Sequence, residues 1–94
     1  MPKGYLIVTE DIKDPAGMAV YAKLAMQTME GVTVVAADPK PQVVEGEWHG
    51  TQTVVLEFES VVAARAWYES EAYQKAAKVR QAAADCNGVI ISGL

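Results

Sequence analysis

The sequence predicts a single α+β domain of β-α-β-β-α-β order. Its antiparallel sheet carries helices on one face and meets a second copy of the chain through the other. Three observations predict this. Strand-like and helix-like stretches alternate in that order with no linker between them. The strand stretches are apolar on both sides, while the helices suffice to cover one. A chain of 94 residues has a small core and benefits from burying surface on a partner.

Taken in order, Gly4 to Ile12 is rich in aromatic and branched residues and has the length of a strand. It stops at Lys13-Asp14-Pro15, where Asp14 is expected to cap a helix and Pro15 suits its first position. The helix is expected over Ala16 to Glu30, with Met18, Tyr21, Ala22, Ala25 and Met29 on its inner side and Gly31 as its terminator. Val32 to Ala37 reads as the second strand, broken by Pro39 and Pro41. Gln42 to Gly50 is a connection in which Val43-Val44 is either a short strand or loop. Thr51 to Glu59 is the third strand. Ser60 caps a helix from Val61 to Glu69, and Ser70 starts a fresh helical stretch from Glu71 to Ala84. Asn87-Gly88 is expected to end it, leaving Val89 to Ser92 as the last strand.

Bulk composition narrows the function classes. The chain is 51% hydrophobic and 21% charged, as folded globular proteins are. Net charge is −4 with scattered Lys and Arg, so no basic stripe exists for nucleic acid. No apolar run reaches the ~18 residues of a membrane span, and the N-terminus lacks a signal-peptide pattern. The expectation is a cytoplasmic protein. Cys86 is the single cysteine, which excludes an internal disulfide and a cysteine metal cluster. With His49 the single histidine, no metal site and no cofactor are expected.

The strand faces carry the oligomer argument. Leu6, Val8, Val32, Val34, Val54, Leu56 and Phe58 form the side for the helices. The other side holds Tyr5, Ile7, Thr9, Thr33, Val35, Thr53, Val55 and Glu57. Such a face is larger and more apolar than the patches monomers usually expose. A homodimer is the expected partner arrangement.

Several stretches together carry a family resemblance. They are Lys3-Gly4-Tyr5, Asp14-Pro15, Val44-Glu45-Gly46-Glu47-Trp48, Val54-Val55-Leu56-Glu57-Phe58, and Ala63 to Ser70 followed by Tyr73. In this order they resemble the uncharacterised DUF1330 family, within the dimeric α+β barrel superfamily. The resemblance implies a ferredoxin-like fold and a dimer. It implies no activity, because relatives on that scaffold include cofactor-free monooxygenases, isomerases and haem enzymes. Ser70-Glu71-Ala72-Tyr73 departs from the usual Ser-Pro-Glu-Tyr of the family, and Met18 stands where an aromatic is common.

Candidate chemistry rests on few residues. His49, beside Trp48, is the side chain that ordinarily titrates near neutral pH and is a candidate acid or base; the alternative is an exposed loop histidine. Glu57 is a candidate base on the sheet face, or pairs with Arg65 or Arg80 or reaches water. Arg80 falls at helical spacing from Tyr73, Ala76 and Ala77, where its guanidinium is offered to a carboxylate. Arg65 is expected to pair with Glu69, and Trp67, Tyr68 and Tyr73 to pack the core, with Cys86 structural. The expected pocket is lined by Tyr5, Trp48, His49, Glu57 and Arg80. It would hold a small carboxylated or aromatic metabolite for cofactor-free acid-base chemistry. His49 or Glu57 would move the proton and Arg80 would hold the anion. The alternative is a non-catalytic ligand-binding or structural dimer module.

Overall fold

A computed structural model describes residues 1–94. Its elements are β1 (Gly4–Ile12), α1 (Pro15–Met26), β2 (Thr33–Asp38), β3 (Gln52–Phe58), α2 (Val61–Glu69), α3 (Glu71–Ala83) and β4 (Ala84–Ser92). The sheet runs β2-β3-β1-β4 with every neighbouring pair antiparallel, so the expected α+β architecture is the one observed. No helix is long and apolar enough to cross a membrane.

β1 is central, and its alternation sets the layers. Leu6 and Val8 are buried with Leu56, Phe58 and Ala64, while the intervening residues of β1 point to the outer face. A second buried cluster, Tyr73, Ala76 and Ala77, sits on α3. Trp67 joins the two: its ring lies 5.3 Å from Phe58 and 3.9 Å from Tyr73. Its indole N–H donates to the Thr28 carbonyl at 2.7 Å, tying the segment after α1 to α2. Small residues on α3 let the helix sit close, which leaves the aromatic rings to fill the interior.

Capping separates α2 from α3 as the serines predict. Ser60 Oγ accepts from the Ala63 amide at 3.0 Å, and Ser70 Oγ accepts from the Tyr73 amide at 3.2 Å. Ser70 itself is extended, with ψ 147°, which breaks the helical path.

Four expectations need correction. Asp14 makes no side-chain cap bond; its carboxylate rests over Gly17, where a β-carbon would come within 2.9 Å of Oδ2. α1 ends at Met26 rather than Glu30. The Thr28 hydroxyl bonds back to the Ala25 carbonyl at 2.7 Å, and Trp67 takes the Thr28 carbonyl, so both groups compete with further helix. Gly31, at φ 77°, lies in the turn beyond. β4 begins at Ala84, not Val89, because Asp85 to Gly88 pair with Asp11 to Val8 of β1. The ladder satisfies their backbone groups, and Asn87-Gly88 acts as strand. Finally, β2 carries a bulge between Val34 and Ala36, which sets Ala36 opposite Val55. Val43-Val44 forms no strand.

Candidate functional site

The register places three rows across the outer sheet face. Thr33, Glu57, Tyr5 and Ile91 form one; Ala36, Val55, Ile7 and Val89 the next; Asp38, Thr53, Thr9 and Asn87 the third. An apolar band thus crosses all four strands between two more polar rows.

The five residues expected to share a pocket occupy three places. Tyr5 donates to Glu57 Oε2 at 3.0 Å in the first row. That hydrogen bond, with some burial, raises the Tyr5 hydroxyl above its usual pKa. Trp48 and His49 fold over the third row instead. The Trp48 indole donates to Thr53 Oγ1 at 2.9 Å, and His49 Nδ1 meets Thr9 Oγ1 at 2.7 Å. His49 Nε2 is 3.5 Å from Asp85 Oδ2, at the outer limit of a hydrogen bond. Tyr5 and Thr9 are four residues apart on β1, so the two clusters stand roughly 13 Å apart. Gly50 fixes the His49 loop over β1: its φ is 78°, and a β-carbon there would lie 2.6 Å from the Glu10 backbone.

Arg80 is on the opposite face, among the helices, and 4% exposed. Its guanidinium carbon lies 5.8 Å from the Tyr21 ring centroid. Burial opposes its charge, but Tyr73 and Cys86 beside it outweigh that and hold the guanidinium above the ordinary arginine range. The sheet therefore separates Arg80 from His49 and Glu57, and the single pocket expected from the sequence does not form. The reason is parity: Arg80 packs toward the Leu6 and Val8 side of β1, whereas Tyr5 and Thr9 point the other way.

The larger cleft of the molecule lies under α1. About 480 Å³ opens between that helix and β1 and β3. Met18, Tyr21, Ala22 and Ala25, on the side of α1 expected to be buried, line its roof, and Met29, beyond the end of the helix, lines it while packing against the Leu6–Phe58 cluster. Val8, Val54, Leu56 and Trp67 continue the apolar wall. Two polar pairs interrupt it. Glu10 is 2% exposed, and Gln52 Nε2 donates to its Oε1 at 2.8 Å. The Tyr21 and Tyr73 hydroxyls are 2.9 Å apart, their rings edge to face. Burial, reinforced by Tyr73, holds the Tyr21 hydroxyl far above its usual pKa, so it remains a neutral donor.

Glu10 and Gln52 were not among the residues expected to form a site. The signal was present in the alternation itself: Leu6, Val8 and Glu10 share one face of β1, as Gln52, Val54 and Leu56 do on β3. A carboxylate continuing an apolar face is costly unless partnered. The Tyr21 and Tyr73 rings pack inward as expected, and their hydroxyl pair emerges when α1 and α3 meet. No group of three or more His, Cys, Asp and Glu is arranged to hold a metal ion.

The fold is shared with solved proteins. One of unknown function from Rhodopseudomonas palustris superposes with a TM-score of 0.79 at 20% identity, covering 99% of this chain and 83% of that one. A dimeric ferredoxin-like protein of unknown function from Jannaschia sp. gives 0.69 at 14% identity, with 95% and 97% covered. SnoaB, a cofactor-independent oxygenase from Streptomyces nogalater, gives 0.69 at 11% identity, with 100% and 95% covered. No curated protein matches the sequence. The family described as a domain of unknown function, DUF1330, matches residues 3–94, and the chain belongs to that family.

Proposed function

We propose that the protein is a homodimer whose subunits each bind a small, largely apolar aromatic molecule in the cleft under α1. The observation that carries this is a pair of buried polar groupings, Glu10–Gln52 and Tyr21–Tyr73, set in an otherwise apolar cleft of about 480 Å³. That volume lies within the roughly 300–1,000 Å³ typical of small-molecule sites, and convergent polar groups in apolar walls fix a ligand's orientation. Glu10 disfavours an anionic ligand here, so a neutral phenol-like molecule suits the cleft better than a carboxylate. The phenolic oxygen would meet the tyrosine hydroxyls.

Proton transfer in this cleft falls to Glu10, the one carboxylate among its lining residues. The fold likeness to a cofactor-independent oxygenase supports the scaffold's compatibility with cofactor-free chemistry and goes no further. The hydrogen bond from Gln52 to Glu10 favours the second reading, binding without turnover, because it already occupies one carboxylate oxygen. His49 and Glu57 would serve the outer face, where their hydrogen bonds order the rim of the dimer contact. The dimeric state described for the Jannaschia neighbour supports the assembly.

Titration with neutral phenols and naphthols tests the site. A saturable rise in Tm is expected for the native protein and is lost in Ala25→Trp, which fills the cleft. Glu10→Gln should keep binding and remove any turnover. If neutral aromatics give no stabilisation, or stabilise Ala25→Trp equally, the cleft is not the site.

A further inference from the structure

A second cleft, of about 280 Å³, lies between the inner face of the sheet at β4 and helices α2 and α3. Arg65 and Tyr68 line it from α2, Arg80 and Gln81 from α3, and Cys86 and Asn87 from β4. Leu6, Val8 and Ile90 form an apolar floor. Arg80 Nε is the one buried side-chain nitrogen or oxygen in the molecule without a hydrogen-bond partner. Arg80 also lacks a carboxylate within ion-pair distance; the four ion pairs of the chain involve other residues. Glu10, the one buried acid, is the ladder partner of Cys86 and is engaged by Gln52.

Tyr73 and Cys86 stand beside this buried guanidinium, yet its Nε–H finds no acceptor and no carboxylate lies within ion-pair distance, a costly arrangement for a buried donor. Among protein groups it is rare, and it points to a partner that the chain does not itself supply. Around it the chain places a second cation. Arg65 pairs with Glu69 at 3.5 Å, but both side chains are largely exposed, so that pair is weak and exchangeable. Cys86 offers no competing negative charge, because burial pushes its thiol pKa up and keeps it protonated. We infer that this β4–α2–α3 cleft is an anion site for a small organic carboxylate, held by Arg80 and Arg65 with its apolar body on Leu6, Val8 and Ile90.

This site is separate from the cleft under α1, which contains neither arginine. The two meet through Tyr21, which touches Arg80 on one side and lines the α1 cleft on the other. The apolar floor favours a carboxylate on a carbon skeleton over a bare phosphate, which would leave that floor wet.

The test follows the Arg80 Nε–H signal by NMR on the full dimeric or monomeric protein while sodium benzoate, sodium phosphate or sodium chloride is added at constant ionic strength. Benzoate should shift that signal saturably, together with the Asn87 and Gly88 amides, and chloride should not. Arg65→Gln, a change at an exposed position that leaves the fold intact, should weaken benzoate binding by about threefold. Ala25→Trp should leave it unchanged, which separates this site from the one under α1. Equal, unsaturating shifts with benzoate and chloride would overturn the inference. Tighter binding of phosphate than of benzoate would overturn the carboxylate assignment, and an unchanged affinity in Arg65→Gln would remove Arg65 from the site.

Discussion

Glu10 and Gln52 place a carboxyl and an amide on the inner faces of β1 and β3, which are otherwise apolar, and their single hydrogen bond is what makes that tolerable. Gln52→Leu strands the carboxylate and should cost about 1–3 kcal/mol in urea unfolding. The double change Glu10→Leu with Gln52→Leu should restore most of that loss, since an apolar pair leaves nothing unsatisfied. Tyr21 gives a pH signature at the same scale. Its hydroxyl is held protonated by burial, so its folded pKa lies above its unfolded value of 10.0. A raised pKa binds the proton more tightly in the folded state, so this contribution is complete below pH 10 and declines as the pH rises from there. The native protein should therefore lose stability between pH 9 and 11 more steeply than Tyr21→Phe, measured by denaturant unfolding on both. Equal slopes would place Tyr21 in contact with water.

At the scale of elements, the caps separate what a local pattern can promise from what geometry delivers. Ser60 and Asp14 both precede helices and both have the right chemistry. Only Ser60 makes the bond, so Ser60→Ala should lower stability by about 1 kcal/mol. Asp14→Ala should change it by less than about 0.5 kcal/mol, because no cap is lost. Thermal or urea unfolding of the two variants checks the contrast. α1 shows the other limit of element-level reading. Its inner side was legible from the spacing of Met18, Tyr21, Ala22 and Ala25, yet that side lines a cleft. Periodicity says which side avoids water, and a ligand satisfies that demand as well as a β-sheet does. β4 shows a further case: Asn87-Gly88 has the composition of a helix stop, and the open edge of β1 recruited it as strand.

For the whole molecule, the outer sheet face is the surface on which the proposed dimer rests. Val89 and Ile91 on β4 are 54% and 45% exposed in one protomer, and Val35 on β2, at the opposite edge of the sheet, is 53% exposed. Covering this band against a second sheet would recover roughly 1.5–3 kcal/mol per large side chain, enough to hold a dimer against its entropy cost. Val89→Lys should place two charges in that contact and weaken the proposed dimer a hundredfold or more, which is about 3 kcal/mol. Light scattering after size exclusion should then report a monomer. Val43→Lys, a change in an exposed loop, should leave the native mass unchanged. Retention of the native mass by Val89→Lys would move the dimer contact elsewhere.

By itself the sequence determined the order of the elements, the α+β class, the two-faced sheet and the inward aromatic cluster. These follow from periods of two and of about four residues, which operate over neighbours in the chain. Tertiary structure alone decided where the clefts lie. It put Arg80 on one side of the sheet and His49 and Glu57 on the other, and it brought Glu10 to Gln52 and Tyr21 to Tyr73. Those pairs join positions 42 and 52 residues apart, so no local pattern encodes them. They exist because strand register and the crossing of α1 over α3 set which polar atoms end up facing one another away from water.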